Sequence, residues 1–217
     1  MTRRRFDVLI FDWDGTLLDS VDWIVECLQR AAGEADITKP SPEAARSVIG
    51  LSLSEALQAL FPDAAEDRLS ALIHAYRRHY FSKEISPDDL FEGVEETLMD
   101  LRNRGFQLAI ATGKARAGLD RALRATRLSP LFSATRCADE TASKPHPAML
   151  NEIVETLRAR RERVVMIGDS IHDLKMAENA GIAGIGVACG AYSREQLAAQ
   201  NPLACLPHVC ELPAFLF

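Results

Sequence analysis

The sequence predicts an α/β fold, a doubly wound parallel sheet core that carries an inserted all-helical cap subdomain. Three observations predict it. Four short apolar runs rich in β-branched residues, at 6–11, 107–111, 164–167 and 182–188, do not alternate with polar residues, the pattern of strands covered on both faces. Helical periodicity lies between them. Residues 20–88 hold helical periodicity and no run that reads as a buried strand.

The elements follow in chain order. After the first strand at 6–11, Val21, Ile24, Val25 and Leu28 mark one helix face. Ser41 and Pro42 suit the N-cap and first position of a second helix, and Leu69, Leu72, Ile73, Tyr76 and Tyr80 stripe a third. Trp23 and Tyr76 are assigned to the helical core. Residues 20–88 are therefore expected to form the cap, and 1–19 with 89–217 the α/β core. Val94, Leu98 and Leu101 give a helix stopped by Gly105, and the strand at 107–111 follows. Leu150, Ile153, Val154 and Leu157 give another helix before the Arg-rich 158–163, and the strands at 164–167 and 182–188 complete a Rossmann-like open sheet. Gly184-x-Gly186-x-x-x-Gly190 has the wrong spacing for a dinucleotide loop and is read as close strand packing.

Composition limits the function classes. The 217 residues are 47% hydrophobic and 26% charged, ordinary for a globular chain, which at this size buries roughly 70% of its unfolded surface. A net charge of -6 gives no basic field for nucleic acid or anionic lipid. The short run Arg3, Arg4, Arg5 opens neither a nucleic-acid arm nor a secretory leader, and no apolar stretch reaches the roughly 18 residues that cross a bilayer. Cys27, Cys137, Cys189, Cys205 and Cys210 are odd in number and scattered, with no Cys-x-x-Cys and no His/Cys cluster at zinc spacing. They read as small buried residues of a cytoplasmic protein.

The chemistry gathers at strand ends. Asp12-Trp13-Asp14-Gly15-Thr16 closes the first strand, where alternation turns Asp12 and Asp14 to one side, Gly15 permits a sharp exit, and the Thr16 hydroxyl can tie the turn to its own backbone. Thr112-Gly113-Lys114 follows another strand, and Gly168-Asp169-Ser170 with Asp173 follows a third. Ligands of open α/β sheets bind beyond these carboxyl ends, so Asp12, Asp14, Thr112, Asp169 and Asp173 are expected to converge. So many carboxylates need a hard cation, most simply Mg²⁺. Lys144, in Lys144-Pro145-His146-Pro147, adds positive charge, and Pro145 suits the opening of a helix. Carboxylates, metal, lysine and hydroxyl together suit phosphoryl transfer.

In order and context, Asp12-x-Asp14-Gly15-Thr16, Thr112, Lys144 and Gly168-Asp169-x-x-x-Asp173 resemble the four motifs of haloacid dehalogenase-like (HAD) hydrolases. The helical insertion and the continuation Met176-Ala177-Glu178-Asn179-Ala180-Gly181 resemble the phosphoglycolate phosphatase-like branch, over 6 to about 190. The resemblance implies that Asp12 attacks phosphorus and becomes an aspartyl phosphate, with Asp14 as general acid and then base. It implies that Thr112, Gly113 and Lys144 hold the phosphoryl group. Mg²⁺ would be held by the Asp12 carboxylate, the Asp14 backbone carbonyl and Asp169, with Asp173 a ligand or an outer partner. The implied enzyme is a Mg²⁺-dependent phosphatase of a small phosphorylated metabolite, with phosphoglycolate as the branch's substrate. A phosphomutase of the same architecture, a phospho-accepting signalling domain and a non-catalytic binding protein remain alternatives. His146 and His172 are read as neighbours of the motifs, Arg77, Arg78 and Lys83 as surface charges with binding of a substrate carboxylate as the alternative, and Lys114 and Arg116 as residues near the phosphate. Ala204 and Cys205 stand where the family's closing segment would carry an acidic residue.

Overall fold

The computed structural model describes residues 5–217; Arg3 and Arg4 of the short basic run lie outside the described residues. The strands are β1 (Val8–Phe11), β2 (Gln107–Thr112), β3 (Phe132–Cys137), β4 (Val164–Gly168), β5 (Ala183–Val187) and β6 (Ala204–Leu206). They form one sheet in the order β3-β2-β1-β4-β5-β6, and every neighbouring pair is parallel. The sheet is α/β and doubly wound, as the sequence predicts.

β1 shows why the central runs are apolar throughout. Val8 and Ile10 pack on one side of the sheet with Met149 and Ile153, while Leu9 and Phe11 pack on the other with Leu98 and Leu101. Both faces are dry, so alternation has nothing to report. Each such Leu or Ile contributes about 1.5–3 kcal/mol by leaving water. The helices that cover the faces are α5 (Val94–Asn103), α6 (Arg116–Thr126), α7 (Ala148–Thr156), α8 (Ile171–Asn179), α9 (Arg194–Ala198) and α10 (Leu212–Leu216).

Between β1 and α5 the chain makes α1 (Val21–Glu34), α2 (Pro42–Ser47), α3 (Leu53–Leu60) and α4 (Glu66–Ser82). Ser41 caps α2, its hydroxyl accepting from Ala44 N at 3.1 Å, with Pro42 at the first turn. These four helices share an apolar cluster of their own that includes Leu28, Leu57 and Leu72. They sit directly on the α/β core. A side chain at Gly113 would place its Cβ 2.5 Å from the carbonyl oxygens of Gly50 and Leu51, so only glycine lets the α2–α3 loop rest there. Ser52 N donates to Ser143 Oγ at 2.9 Å, and Tyr192 Oη to Ser47 O at 2.5 Å.

Several expectations are corrected. The apolar runs miss the two edge strands, β3 and β6, and periodicity misses α3. Pro145 does not open a helix; Pro147 is the N-cap residue of α7. Of the cysteines, Cys27 and Cys137 are buried, whereas Cys189, Cys205 and Cys210 are half-buried; all five are free. Among the described residues, no helix is long and apolar enough to cross a membrane.

Candidate active site

The chain leaves β1, flanked by β2 and β4, at the point where the strand order reverses direction. This is where an open α/β sheet presents its ligand crevice. Asp12 and Asp14 follow β1, Thr112 ends β2 and Asp169 follows β4. Register pins these ends together, with Phe11 opposite Ile110 and Ile167.

Asp12, Asp169 and Asp173 each bring a carboxylate oxygen within 4.8 Å of the others, and all three are buried. Lys144, whose side chain is fully buried, reaches them from the β3–α7 loop, its Nζ 2.8 Å from Asp12 Oδ1 and 2.6 Å from Asp173 Oδ1. Both contacts are within hydrogen-bonding distance, and each carboxylate keeps lone pairs that one ammonium does not use. Asp173 also has a structural role, since with Ser170 it forms the capping box of α8, its Oδ2 accepting from Ser170 N at 3.1 Å and from Ser170 Oγ at 2.6 Å. One carboxylate thereby fixes the helix and faces the lysine.

Asp169 sits in a tight cradle. A Cβ at Gly15 or Gly190 would lie 2.2 or 2.1 Å from its Oδ2, and Gly15 has φ +76°. Its oxygens accept from Thr16 Oγ1 at 2.8 Å and Ala191 N at 2.7 Å. Thr16 thus spends its hydroxyl on Asp169, not on its own turn. Burial, reinforced by Asp173, pushes the Asp169 carboxyl up to about 7 despite those two bonds. Burial likewise raises Asp12 well above the usual range, Lys144 opposing it and the neighbouring aspartates adding to it. For Lys144, burial alone would lower the ammonium; Asp12 and Asp173 outweigh it and the net shift is upward.

Three carboxylates around one ammonium carry an excess of negative charge in a dry place, which either takes up protons or is offset by a cation. The oxygen-only donor set, tight spacing and spare acceptor capacity fit a hard divalent ion. A carboxyl raised from 3.8 to about 7 by folding costs stability as pH rises through that window, because the unfolded chain releases the proton first. Saturating Mg²⁺ is therefore expected to raise the melting temperature more at pH about 8 than at about 5. At a hundredfold excess over Kd the gain is about 2.7 kcal/mol, or roughly 5–10 °C for a chain of this size. Equal gains at both pH values would contradict this account of the cluster.

The Asp14 carboxylate stands outside that cluster. Its Oδ1 accepts from Ser20 Oγ at 2.6 Å, and both its oxygens face Lys114 Nζ, at 2.9 and 2.8 Å. Lys114 also donates to Tyr80 Oη of α4 and lies 4.5 Å from that ring's centroid. Asp12, Asp14, Thr112, Gly113 and Lys114 line one cavity of about 610 Å³ under the four helices. Thr112 is buried at its edge, its Oγ1 accepting from Lys114 N at 3.2 Å. Sequence reasoning noticed Lys114 but neither Tyr80 nor Ser20 beside Asp14, since no local spacing links these residues. Tyr76, assigned to the helical core, lines the cavity. His172 turns to Ser47 O at 3.0 Å, His146 accepts from Ala148 N, and Arg116 pairs with Glu140 at 2.7 Å, away from the carboxylates. Arg78 pairs with Glu34, and Lys83 with Asp89 at 2.6 Å.

Residues 9–187 match the haloacid dehalogenase-like hydrolase family. The chain belongs to that family. It is an enzyme of the hydrolase class, and the signalling-domain reading falls away. A Dickeya dadantii protein named "Probable phosphatase IndB" is 35% identical over 199 residues, covering 90% of this chain and 86% of that protein. "Pyrophosphatase PpaX" of Anoxybacillus flavithermus is 28% identical over 213 residues, covering 98% and 97%. A solved haloacid dehalogenase-like hydrolase from Bacteroides fragilis superposes with a TM-score of 0.86 at 26% identity, covering 95% of this chain and 99% of that one. A buried aspartate cluster suited to a metal ion is what HAD phosphatases use, and this HAD hydrolase has one.

Proposed function

We propose that the chain is a cytoplasmic, Mg²⁺-dependent phosphatase that hydrolyses a small phosphomonoester through an aspartyl phosphate on Asp12, with residues 20–88 as its cap. The observation that carries this reading is the placement of Asp12, Asp14 and Thr112 on one cavity with Lys144 behind Asp12. Relatives named as phosphatases support it, and five free thiols suit a reducing compartment.

Asp12, Asp169 and Asp173, with the Asp14 backbone carbonyl, would hold the ion, which when bound offsets anionic charge and draws electron density from the phosphoryl oxygens. Thr112 Oγ1, the Gly113 backbone and Lys144 Nζ bind the phosphoryl group. Asp12 attacks phosphorus and the bond to the alcohol oxygen breaks. Asp14 gives that oxygen its proton, then takes one from the water that attacks the aspartyl phosphate. Phosphate leaves and Asp12 is restored. The Lys114 ammonium against both oxygens of Asp14 holds that carboxylate in place. Tyr80 ties that ammonium to the cap, so cap position and Asp14 are linked, while the cap keeps bulk water from the acyl phosphate.

The test is hydrolysis of phenyl phosphate. Turnover is expected with Mg²⁺, to stop on chelation and to return on re-addition; full activity in chelated protein would contradict the metal requirement.

A further inference from the structure

The cavity above Asp12 and Asp14 is far larger than the reaction needs. Its volume of about 610 Å³ falls within the range of pockets that enclose organic ligands of drug size. Beyond the reacting end, its wall is mainly apolar, with Ile24 and Leu28 of α1, Val48 and Leu51 of the α2–α3 region, and Tyr76 and Phe81 of α4, interrupted by Ser52, Ser54, Arg77 and Asp139. The Tyr76 and Tyr80 rings stack at 5.7 Å and 20°, and Phe81 meets Tyr80 edge-on at 5.7 Å, which makes that wall aromatic.

The charges that line the cavity are three carboxylates, Asp12, Asp14 and Asp139, and two cations, Lys114 and Arg77. Lys114 is engaged by Asp14, which leaves Arg77 for any second anion on a substrate. A carboxylate or second phosphate on the leaving group would have Arg77 at the exposed side of the cavity and would otherwise face mainly apolar side chains, and burying a charge with few partners is costly. An apolar body on the leaving alcohol would instead displace water from a wall that gains by losing it.

We infer that the preferred substrate is a phosphomonoester whose leaving alcohol carries an apolar, ring-sized body lying against the α1 and α4 wall, and not phosphoglycolate or pyrophosphate. The inference rests on the phosphatase reading above. Discrimination of tenfold equals about 1.4 kcal/mol, which burial of roughly 55 Å² of apolar surface supplies at about 25 cal/mol per Å².

The experiment compares kcat/KM of the Mg²⁺-loaded full chain for ethyl phosphate, 2-phenylethyl phosphate, phosphoglycolate and pyrophosphate. The two alkyl esters have leaving groups of similar acidity, so their difference reads the cavity and not intrinsic reactivity. 2-Phenylethyl phosphate is expected to exceed each of the other three by at least tenfold. A second arm fills the cavity with Gly118→Leu on α6. A Cβ at Gly118 has only Lys114 Cε within 4 Å, at 3.9 Å, and leucine favours a helix over glycine, so the side chain starts without a clash and the helix backbone favours it. The ratio of kcat/KM for 2-phenylethyl over ethyl phosphate is expected to fall at least fivefold in this variant, at unchanged or higher melting temperature. Phosphoglycolate or pyrophosphate matching 2-phenylethyl phosphate in the wild type would overturn the inference and leave the phosphatase reading standing. So would an unchanged ratio in a folded Gly118→Leu. Hydrolysis of none of the four compounds would overturn both.

Discussion

Asp12→Asn is expected to lower turnover of phenyl phosphate by at least about 10³-fold while leaving the fold in place. The amide keeps the shape of the side chain and cannot supply an anionic oxygen to phosphorus. It also takes one charge from a buried set in which burial, Asp173 and Asp169 all resist ionisation of Asp12. Lys144 loses a partner at 2.8 Å but keeps Asp173 at 2.6 Å, so its ammonium is not stranded. The two effects on stability oppose each other. A far-UV circular dichroism spectrum like the wild type's and a melting temperature within a few degrees should accompany the loss of activity. Undiminished turnover in folded Asp12→Asn would remove the aspartyl phosphate from the proposal, whatever the fold.

The residues that the sequence could place are those whose environment is set by their own strand. β1, β2, β4 and β5 lie inside the sheet with apolar cover on both sides, and a continuous apolar run is the local mark of that environment. β3 and β6 are the edges. Ser133, Thr135 and Arg136 interrupt β3 because part of it is not buried, and β6 has only three residues, so neither leaves a run to find. The site divides in the same way. Asp12, Thr112 and Asp169 sit at strand ends and were legible from spacing. What holds them was not: Thr16 reaches Asp169 across 153 positions, Lys114 reaches Asp14 across 100, and Tyr80 meets Lys114 only because α4 lies on the α/β core. Such contacts are made by topology and leave no periodic trace. Gly190 shows the limit most sharply. Read as close strand packing, it also leaves room for Asp169, a constraint set by a side chain 21 positions earlier.

Lys144→Met is expected to cost far more stability than the loss of any surface ion pair. Exposed pairs such as Arg30–Glu26 and Arg160–Glu162 gain little in water, of the order of 0.2–1 kcal/mol each. Lys144 is different because its side chain is fully buried and the oxygens it faces are buried too. Methionine matches its length but leaves Asp12 and Asp173 without a counter-charge, a defect that typically costs about 3–5 kcal/mol. For a chain of this size that is a fall of roughly 6–20 °C in melting temperature. The pH dependence identifies the cause. Removing Lys144 takes away the main influence that lowers the Asp12 carboxyl, so that group moves further up in the folded state. A carboxyl raised by folding costs stability above its unfolded value near 3.8, and the cost disappears below it, where both states hold the proton. The deficit of Lys144→Met should therefore be largest at neutral pH and shrink on acidification. Mg²⁺ should recover part of it at neutral pH, since the same oxygens would then face a cation, while phosphatase activity stays low for want of the ammonium at the phosphoryl site. A deficit under about 1 kcal/mol at neutral pH, or one that widens on acidification, would mean that the lysine fills space and does not balance charge.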